Sequence, residues 1–210
     1  MATSRILGPD GQHIKTPDLA EPQTARLVHL QRELQSHPTR GLTPSRLAKI
    51  LDAAETGDLV AQFELFEDME EKDGHIAAEM GKRRRACVLD WDVVPPEGAD
   101  AAEKKIAAQL GELLMEVPDF EDMVFDLTDA IGKGFAALEI EWKTGSTWLP
   151  QALHWVPQRM FQVDRDTGSI QFLKMGLPEA LREWGWVVHE HRARSGYIEQ
   201  AALFRVLAWT

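Results

Sequence analysis

The spacing of apolar residues changes along the chain, and this change limits the folds that the chain can adopt. Between residues 43 and 131 apolar side chains mostly recur every three or four positions, which is the period of an amphipathic helix. From residue 138 onward they alternate with polar ones, as expected for half-buried strands. A short alternating stretch at residues 89–93 predicts one earlier strand. The order predicts an α+β fold, with N-terminal helices followed by short strands and a β-meander with packed helices.

Local signals predict where several elements begin and end. Thr43 followed by Pro44 offers an N-cap hydroxyl and a first-turn proline, which together start a helix. Asp100 and Glu103 have the spacing of a capping box. The stretch Gly132-Lys133-Gly134 predicts a helix C-cap at which the chain reverses. Gly168, in the stretch DRDTG, predicts a hairpin loop with a positive φ angle.

These boundaries predict three parts. Residues 1–41 are rich in turn-forming and polar residues and predict an extended, partly disordered arm. Arms of this kind are either disordered or ordered only against a neighbour. Within the arm, three leucines at helical spacing favour one short helical piece: Leu27, Leu30 and Leu34. Residues 42–197 predict the α+β domain. Residues 198–210 predict the start of a long helix, because helical spacing continues there without a stop signal.

Composition restricts the class of protein. The 210 residues carry a formal net charge of -11, which disfavours broad wrapping of nucleic acid because phosphates require basic faces. The single cysteine, Cys87, excludes an internal disulfide and a four-cysteine zinc site. We expect Cys87 to be at least partly buried. No apolar run predicts a membrane span, and the first ten residues lack the apolar core of a secretion signal.

Motifs for catalysis and cofactor binding are incomplete. The Gly132-Lys133-Gly134 stretch follows a helix, whereas a phosphate-binding loop follows a strand and continues with Ser or Thr. His189 and His191 share one strand face, but no further metal ligand lies near them in sequence. The aspartates of the DRDTG stretch lack the later ligands of a calcium loop. The sequence therefore predicts no enzyme, no cofactor and no metal site.

The most conspicuous charge feature is a basic run of four residues: Lys82, Arg83, Arg84 and Arg85. A nucleic-acid contact, a helix end and an ion-pair surface facing a partner are the alternatives. On a helix, four successive side chains fan over roughly 300°, so the run cannot form one flat face toward DNA. We expect Arg83 and Arg84 to meet carboxylates of the acidic helix at residues 58–73, within the fold or from a neighbouring subunit.

Two further expectations complete the candidate interaction residues. Glu79 lies four residues before Arg83, a spacing at which opposite charges pair on a helix. Trp209, on the last apolar run, is expected to face a partner. The candidates are therefore Lys82, Arg83, Arg84, Arg85 and Trp209, with no catalytic, cofactor-binding or metal-binding residue among them.

One long stretch resembles a known family. The segment LTPSRLAKILDAAETGDLVAQFELFEDMEEKDGHIAAEMGKRRRACVLDWDVVPP is similar to the N-terminal region of the portal proteins of Mu-like tailed phages and prophages. The stretches DAIGKGFAALEIEW, HWVPQRMFQVD and HEHRARSGYIEQAALFRVLAW agree with it. The resemblance extends from about Leu42 to Trp209.

The resemblance implies a structural role in virion assembly. Portal proteins form a ring, usually of twelve subunits, at one capsid vertex, and DNA passes through its channel. Capsid, terminase and head-completion proteins contact the ring, which has no cofactor and is not an enzyme. The resemblance also implies that the protein is located in the virion, and in the host cytoplasm during assembly. Residues 42–197 would correspond to the outer wing, and residues 198–210 to the start of a truncated stem helix.

A different class of protein remains the alternative. A small nucleic-acid-binding or regulatory module could use the basic run at residues 82–85. Such a module needs several basic residues gathered in space, whereas the other basic residues of this chain are dispersed among acidic ones.

We also expect the stem and clip regions of the family to be missing from this chain.

Overall fold

The computed structural model of the chain describes residues 22–24, 37–88, 92–143, 148–194 and 196–209. The helices are α1 (Pro44–Glu55), α2 (Val60–Lys72), α3 (Gly74–Ala86), α4 (Ala101–Met115), α5 (Phe120–Leu127), α6 (Ala130–Lys133) and α7 (Phe204–Leu207). The strands are β1 (Phe135–Lys143), β2 (Leu149–Val156), β3 (Phe161–Val163), β4 (Ile170–Lys174), β5 (Leu177–Ala180) and β6 (Trp186–Glu190). Two short 3-10 turns lie at Gln158–Met160 and Ile198–Gln200.

Side-chain caps start α1, α3 and α4, and those of α1 and α4 lie where the sequence predicts. The Thr43 hydroxyl accepts a hydrogen bond from the backbone N–H of Arg46 at the start of α1. Asp73 caps α3 through two backbone N–H groups. Asp100 and Glu103 form a complete capping box on α4, which satisfies backbone donors that have no partner inside the helix.

The strands form two three-stranded antiparallel sheets. The order is β2-β1-β6 in one sheet and β3-β4-β5 in the other. A register shift between Glu141 and Trp142 interrupts the pairing of β1 with β2. The β3–β4 hairpin turns through Gly168, whose φ is 71°, and Asp164 accepts hydrogen bonds inside this loop. Both the α+β class and the tight turn are thus confirmed.

Phenylalanines from helices and both sheets build the main core. Their rings meet edge to face at centroid distances from 5.5 to 5.9 Å, an arrangement that aromatic quadrupoles favour. The chain of contacts runs through six fully buried rings: Phe63, Phe66, Phe135, Phe161, Phe172 and Phe204. A smaller cluster joins α1 to α2 through Leu47, Ile50, Leu51 and Leu65.

Two expectations about local structure are wrong, and a third lies mostly outside the described residues. The continuous helix expected from Ile198 is divided into the 3-10 turn and α7, because Ala201 and Ala202 are buried between them and the Phe204 ring enters the core. A strand was expected at residues 89–93. Residues 89–91 lie outside the described residues, and residues 92 and 93 belong to no strand. Cys87 is exposed rather than buried, since it lies just beyond α3 on the outer surface.

Helix α4 also differs from the expectation. Its sequence suggests a packed apolar face, yet Ile106 is 62% exposed and Leu110 is 46% exposed. Ala107 is the buried residue of this helix. In the described part of the chain, no helix is both long enough and apolar enough to cross a membrane.

Candidate interaction site

The basic run forms the last turn of α3, and its four side chains point in different directions. Lys82, Arg83 and Arg85 are exposed, whereas the Arg84 side chain is only 14% exposed. Cations at a helix C-terminus offset the helix dipole. The fan of directions that helical geometry requires therefore separates one inward cation from three outward ones.

Glu79 pairs with a different member of the run than expected. The Lys82 ammonium lies 2.6 Å from the Glu79 carboxylate, and this hydrogen bond is the main reason that the pKa of Glu79 is lowered. The described residues give Arg83 no ion pair. The expected pair of Arg83 with Glu79 is therefore wrong, since Arg83 points into solvent. Its expected contact with the acidic helix is not made within the fold, and a contact with the acidic helix of a neighbouring subunit stays a prediction.

Arg84 meets carboxylates on α2, on α5 and on the residue before α6. Its guanidinium lies 3.4 Å from Asp129, 3.7 Å from Asp126 and 3.8 Å from Glu70. Its Nε donates to the carbonyl oxygen of Phe125 at 3.2 Å, and the guanidinium lies over the Phe125 ring at 4.0 Å. The expected contact with the acidic helix, now α2, is confirmed for Arg84 through Glu70.

Lys133 is a second buried cation beside the same carboxylates. Its ammonium lies 2.9 Å from Asp129 and 3.4 Å from Glu70. Burial alone lowers the pKa of Lys133, but the charges of Asp129 and Glu70 outweigh it and raise the pKa above its ordinary value. Lys133 is therefore charged at neutral pH, and its ion-pair contribution to stability is lost only as the pH rises through this raised pKa.

The glycines on either side of Lys133 belong to a helix end rather than to a phosphate-binding loop. Gly134 is the C-cap of α6 with a φ of 95°, so the expected helix C-cap is confirmed. The Lys133 side chain is 5% exposed, and its ammonium points at Asp129. It is therefore turned away from any phosphate that could approach from solvent.

Neutral and charged groups extend this cluster to the sheets. Gln158 donates one hydrogen bond to Asp129 at 2.8 Å and another to the Phe135 carbonyl oxygen at 3.0 Å. Arg159 pairs with Glu67 on α2. Burial raises the pKa of Asp126 despite the attraction of Arg84. We name this set the ion-pair cluster: Glu67, Glu70, Arg84, Asp126, Asp129, Lys133, Gln158 and Arg159.

A second buried carboxylate holds the chain segment before α1. Asp68 is fully buried and accepts hydrogen bonds from Thr39, Lys72 and His37. Burial raises the pKa of Asp68, but these donors outweigh it and hold the pKa well below its usual range. The site escapes detection in the sequence because its partners lie about thirty residues apart; only the Asp68–Lys72 helical spacing gives a local signal.

Two histidine groups could in principle hold a metal ion. Ligand atoms of His37, Asp68 and Glu71 lie within 4.8 Å of one another, but the Lys72 ammonium already lies 2.9 Å from Asp68 and repels a cation. The rings of His189 and His191 are 6.0 Å apart. Burial and the neighbouring His191 lower the pKa of His189. Neither arrangement offers the set of ligands that a structural zinc site requires.

A third buried carboxylate, on β1, receives the described part of the arm. Glu139 is 3% exposed and accepts hydrogen bonds from the backbone of Gln23 and from the backbone and hydroxyl of Thr24. Sequence reasoning missed this contact, because 115 residues separate Thr24 from Glu139 and the alternation of β1 predicts Glu139 on the exposed face.

The C-terminal candidate lies on the surface. Trp209 and Val206 are each 56% exposed. The Trp209 side chain is thus accessible to a partner, while its interaction role stays a prediction.

The chain is an α+β protein in which the cations of the ion-pair cluster pair with carboxylates of neighbouring elements. A family model described as the portal protein of Mu bacteriophage matches residues 63–210. The chain therefore belongs to the Mu-type phage portal protein family.

Two curated relatives agree with this assignment. The Mu-like prophage FluMu protein gp29 of Haemophilus influenzae is 42% identical over 213 residues, covering 98% of this chain and 41% of that protein. The portal protein of Escherichia phage Mu is 39% identical over 209 residues, with the same shares covered. The chain thus spans about two fifths of the length of these relatives.

Proposed function

We propose that the chain is a structural part of a portal ring at a capsid vertex, through which phage DNA is packaged and ejected. The observation that carries this proposal is the family match over residues 63–210, together with the relative named as the portal protein of phage Mu. Residues 42–197 would serve as its outer wing and residues 198–210 as the start of its stem. The protein would act without catalysis and without a cofactor.

Assembly state is the direct test of this function. Native mass spectrometry and electron microscopy would compare this chain with a version extended by the remainder of a curated relative. We expect rings, of twelve subunits by family analogy, from the extended chain and no closed ring from the short one. Monomers from both at high concentration would contradict the proposal.

The outward cations would form a docking edge for neighbouring subunits, capsid, terminase or head-completion proteins. Arg83 and Arg85 are exposed, and Trp209 offers an accessible apolar ring. Replacing Arg83 and Arg85 with Gln should leave the fold intact, since neither side chain is buried, and reduce ring formation by the extended chain. The matched control replaces Arg40 and Lys49 with Gln, and equal ring yields would count against a docking role.

A nucleic-acid-binding module is the second candidate, because three cations of the run remain exposed. Each phosphate contact contributes about one unit to the slope of log affinity against log salt concentration. Three outward cations therefore allow only weak, strongly salt-dependent binding. Tight binding to a DNA duplex at 0.15 M salt, abolished by the Arg83→Gln/Arg85→Gln variant, would favour this alternative over the portal proposal.

A further inference from the structure

A short arm segment is held by a polar site on the body of the fold. Gln23 is 2% exposed and Thr24 is 8% exposed, although the residues of the arm are mostly polar. Their partners come from β1, from the end of β5, from the loop after β5 and from β6. The segment therefore fills a site that both sheets contribute to.

The site satisfies every hydrogen-bonding group of the Gln23 side chain. Nε2 donates to Glu179 Oε2 at 3.0 Å and to the Ala180 carbonyl oxygen at 2.9 Å. Oε1 accepts from the backbone N–H of Arg182 at 3.1 Å and from Nε1 of Trp186 at 2.9 Å. A primary carboxamide has two donor hydrogens and an oxygen with two lone pairs, so its full capacity is used.

This arrangement selects glutamine over its acidic counterpart. A glutamate in the same position would place an ionised oxygen against Glu179 Oε2 and the Ala180 carbonyl oxygen, which are both acceptors. The Gln23 position is 2% exposed, so an ionised oxygen held there against two acceptors would be costly. The slot is therefore specific for a side-chain amide.

The neighbouring carboxylate adds selectivity for the next residue. Glu139 accepts hydrogen bonds from the backbone N–H groups of Gln23 and Thr24 and from the Thr24 hydroxyl. A buried carboxylate needs donors that replace water. The site thus recognises a Gln-Thr dipeptide, which adopts a turn, by one carboxamide, one hydroxyl and two backbone N–H groups.

The arm is joined to the rest of the chain by a connector long enough to reach elsewhere. Twelve residues, 25–36, separate Thr24 from His37, and a chain of this length spans at most about 45 Å when fully extended. The arm of another copy within this reach would make identical contacts. Which of the two arms occupies the site then depends on their effective concentrations, because both arms make the same interactions.

We propose that the surface formed by Glu139, Glu179, Ala180, Arg182 and Trp186 is a binding site for a Gln-Thr peptide segment, and that it takes the arm of a second copy of this chain as well as its own. Neighbouring copies would then be linked by exchanged arms. This inference concerns the site on the body and does not depend on the proposed portal function.

Peptide binding to the full chain tests the site. The variant Gln23→Ala/Thr24→Ala would be titrated with acetyl-AEPQTAR-amide, which has the sequence of residues 20–26. The readout is the indole N–H resonance of Trp186 in NMR spectra, assigned by Trp186→Phe. We expect a saturable shift in the variant and none in the unmodified chain at the same peptide concentration, because its own arm fills the site.

The matched control is the same peptide with glutamate in place of its glutamine. Losing the amide donors should weaken binding about tenfold or more. A folded variant that shows no shift at millimolar peptide, or that binds both peptides equally, would overturn the proposal.

A second experiment remains decisive if the double variant does not fold. A protease site inserted between residues 25 and 36 would be cut after folding, and the cleaved protein would be incubated with fluorescently labelled peptide. Replacement of the cleaved arm by the label supports an exchangeable site. An arm that stays bound without exchange overturns it.

Transfer between copies has its own test. The Gln23→Ala/Thr24→Ala variant, whose arm cannot bind, would be mixed with a Glu139→Gln variant, whose site is weakened and whose arm is intact. Native mass spectrometry should show a mixed dimer that neither variant forms alone. If no mixed dimer forms at concentrations where the peptide binds, the proposed supply of the arm by a second copy is wrong.

Discussion

Among single residues, Arg84 differs from the cations beside it because helical geometry turns it toward α2 and α5. Its guanidinium replaces lost water with three carboxylates, one carbonyl oxygen and the Phe125 ring. Removing one partner of such a network leaves the others uncompensated, which costs more than the intact network contributes. Arg84 therefore stabilises the fold, and only the outward cations of the basic run are candidates for binding a partner.

Replacing Arg84 tests this division. We expect Arg84→Gln to lower the free energy of unfolding by about 2 kcal/mol, because it leaves Asp126 and Asp129 without this cation. Arg83→Gln, the neighbouring control, should change it by less than about 0.5 kcal/mol, since the side chain is exposed. Urea unfolding measures both, and equal effects would contradict the assignment.

The buried Asp68 predicts a dependence of stability on acid. Its pKa is lower in the folded chain than in the unfolded chain, so the unfolded state binds more protons and stability falls as the pH drops below the unfolded value of about 3.9. Asp68→Asn should destabilise the protein at pH 7 and flatten this acid-side decline.

Urea midpoints at several pH values between 2 and 7 measure the Asp68 effect. Asp52→Asn on the exposed face of α1 is the matched control, and it should keep the slope of the unmodified protein. If stability falls with pH equally steeply in Asp68→Asn and in the unmodified protein, Asp68 is not the cause of the acid-side decline.

At the level of elements, the turn between α1 and α2 is fixed by a close approach to β3. Gly57 has a φ of 98°, and a Cβ there would lie 2.5 Å from the Val163 carbonyl oxygen. The Gly57 carbonyl oxygen also accepts a hydrogen bond from the Val163 N–H at 3.2 Å. The sequence indicates a helix end at Gly57, but only the sheet packing shows why a side chain is excluded.

Two glycine substitutions separate backbone strain from this steric clash. Gly57→Ala should destabilise the protein by about 3 kcal/mol, since it adds a collision to an unfavourable backbone conformation. Gly98→Ala, with a φ of 80° and open space around the added Cβ, should cost about 1 kcal/mol. Thermal or urea unfolding gives both values, and similar losses would argue against the clash.

Helix α4 shows a limit of periodicity. A pattern can indicate that a face is apolar without indicating what covers it, and Ile106 and Leu110 remain exposed here. We expect Ile106→Gln/Leu110→Gln to change the free energy of unfolding by less than about 0.5 kcal/mol and to reduce concentration-dependent association. Urea unfolding and analytical ultracentrifugation measure the two effects. A large loss of stability would show that this face is packed.

For the molecule as a whole, the elements with strong local signals were predictable from the sequence, and the long-range polar contacts were not. Caps such as Asp100–Glu103 and the Gly168 turn depend on neighbouring residues, so their patterns are sufficient. The partners of Asp68 and Glu139 are distant in sequence, and a buried carboxylate looks like a surface one until its partners are located. Helical phase led to the same expectation for Arg83 and Arg84, and only Arg84 turns inward. Which cation is covered, and the choice of Lys82 by Glu79, depend on side-chain geometry.

The contact between Gly132 and Phe204 has a mechanical consequence. A Cβ on Gly132 would lie 2.7 Å from the Phe204 ring, so this ring is seated directly against the backbone of α6. Lys133, the next residue, carries one of the two cations that meet Asp129. A tensile load applied to the last described turn would therefore pass through the Phe204 ring into the core and into the helix that carries Lys133.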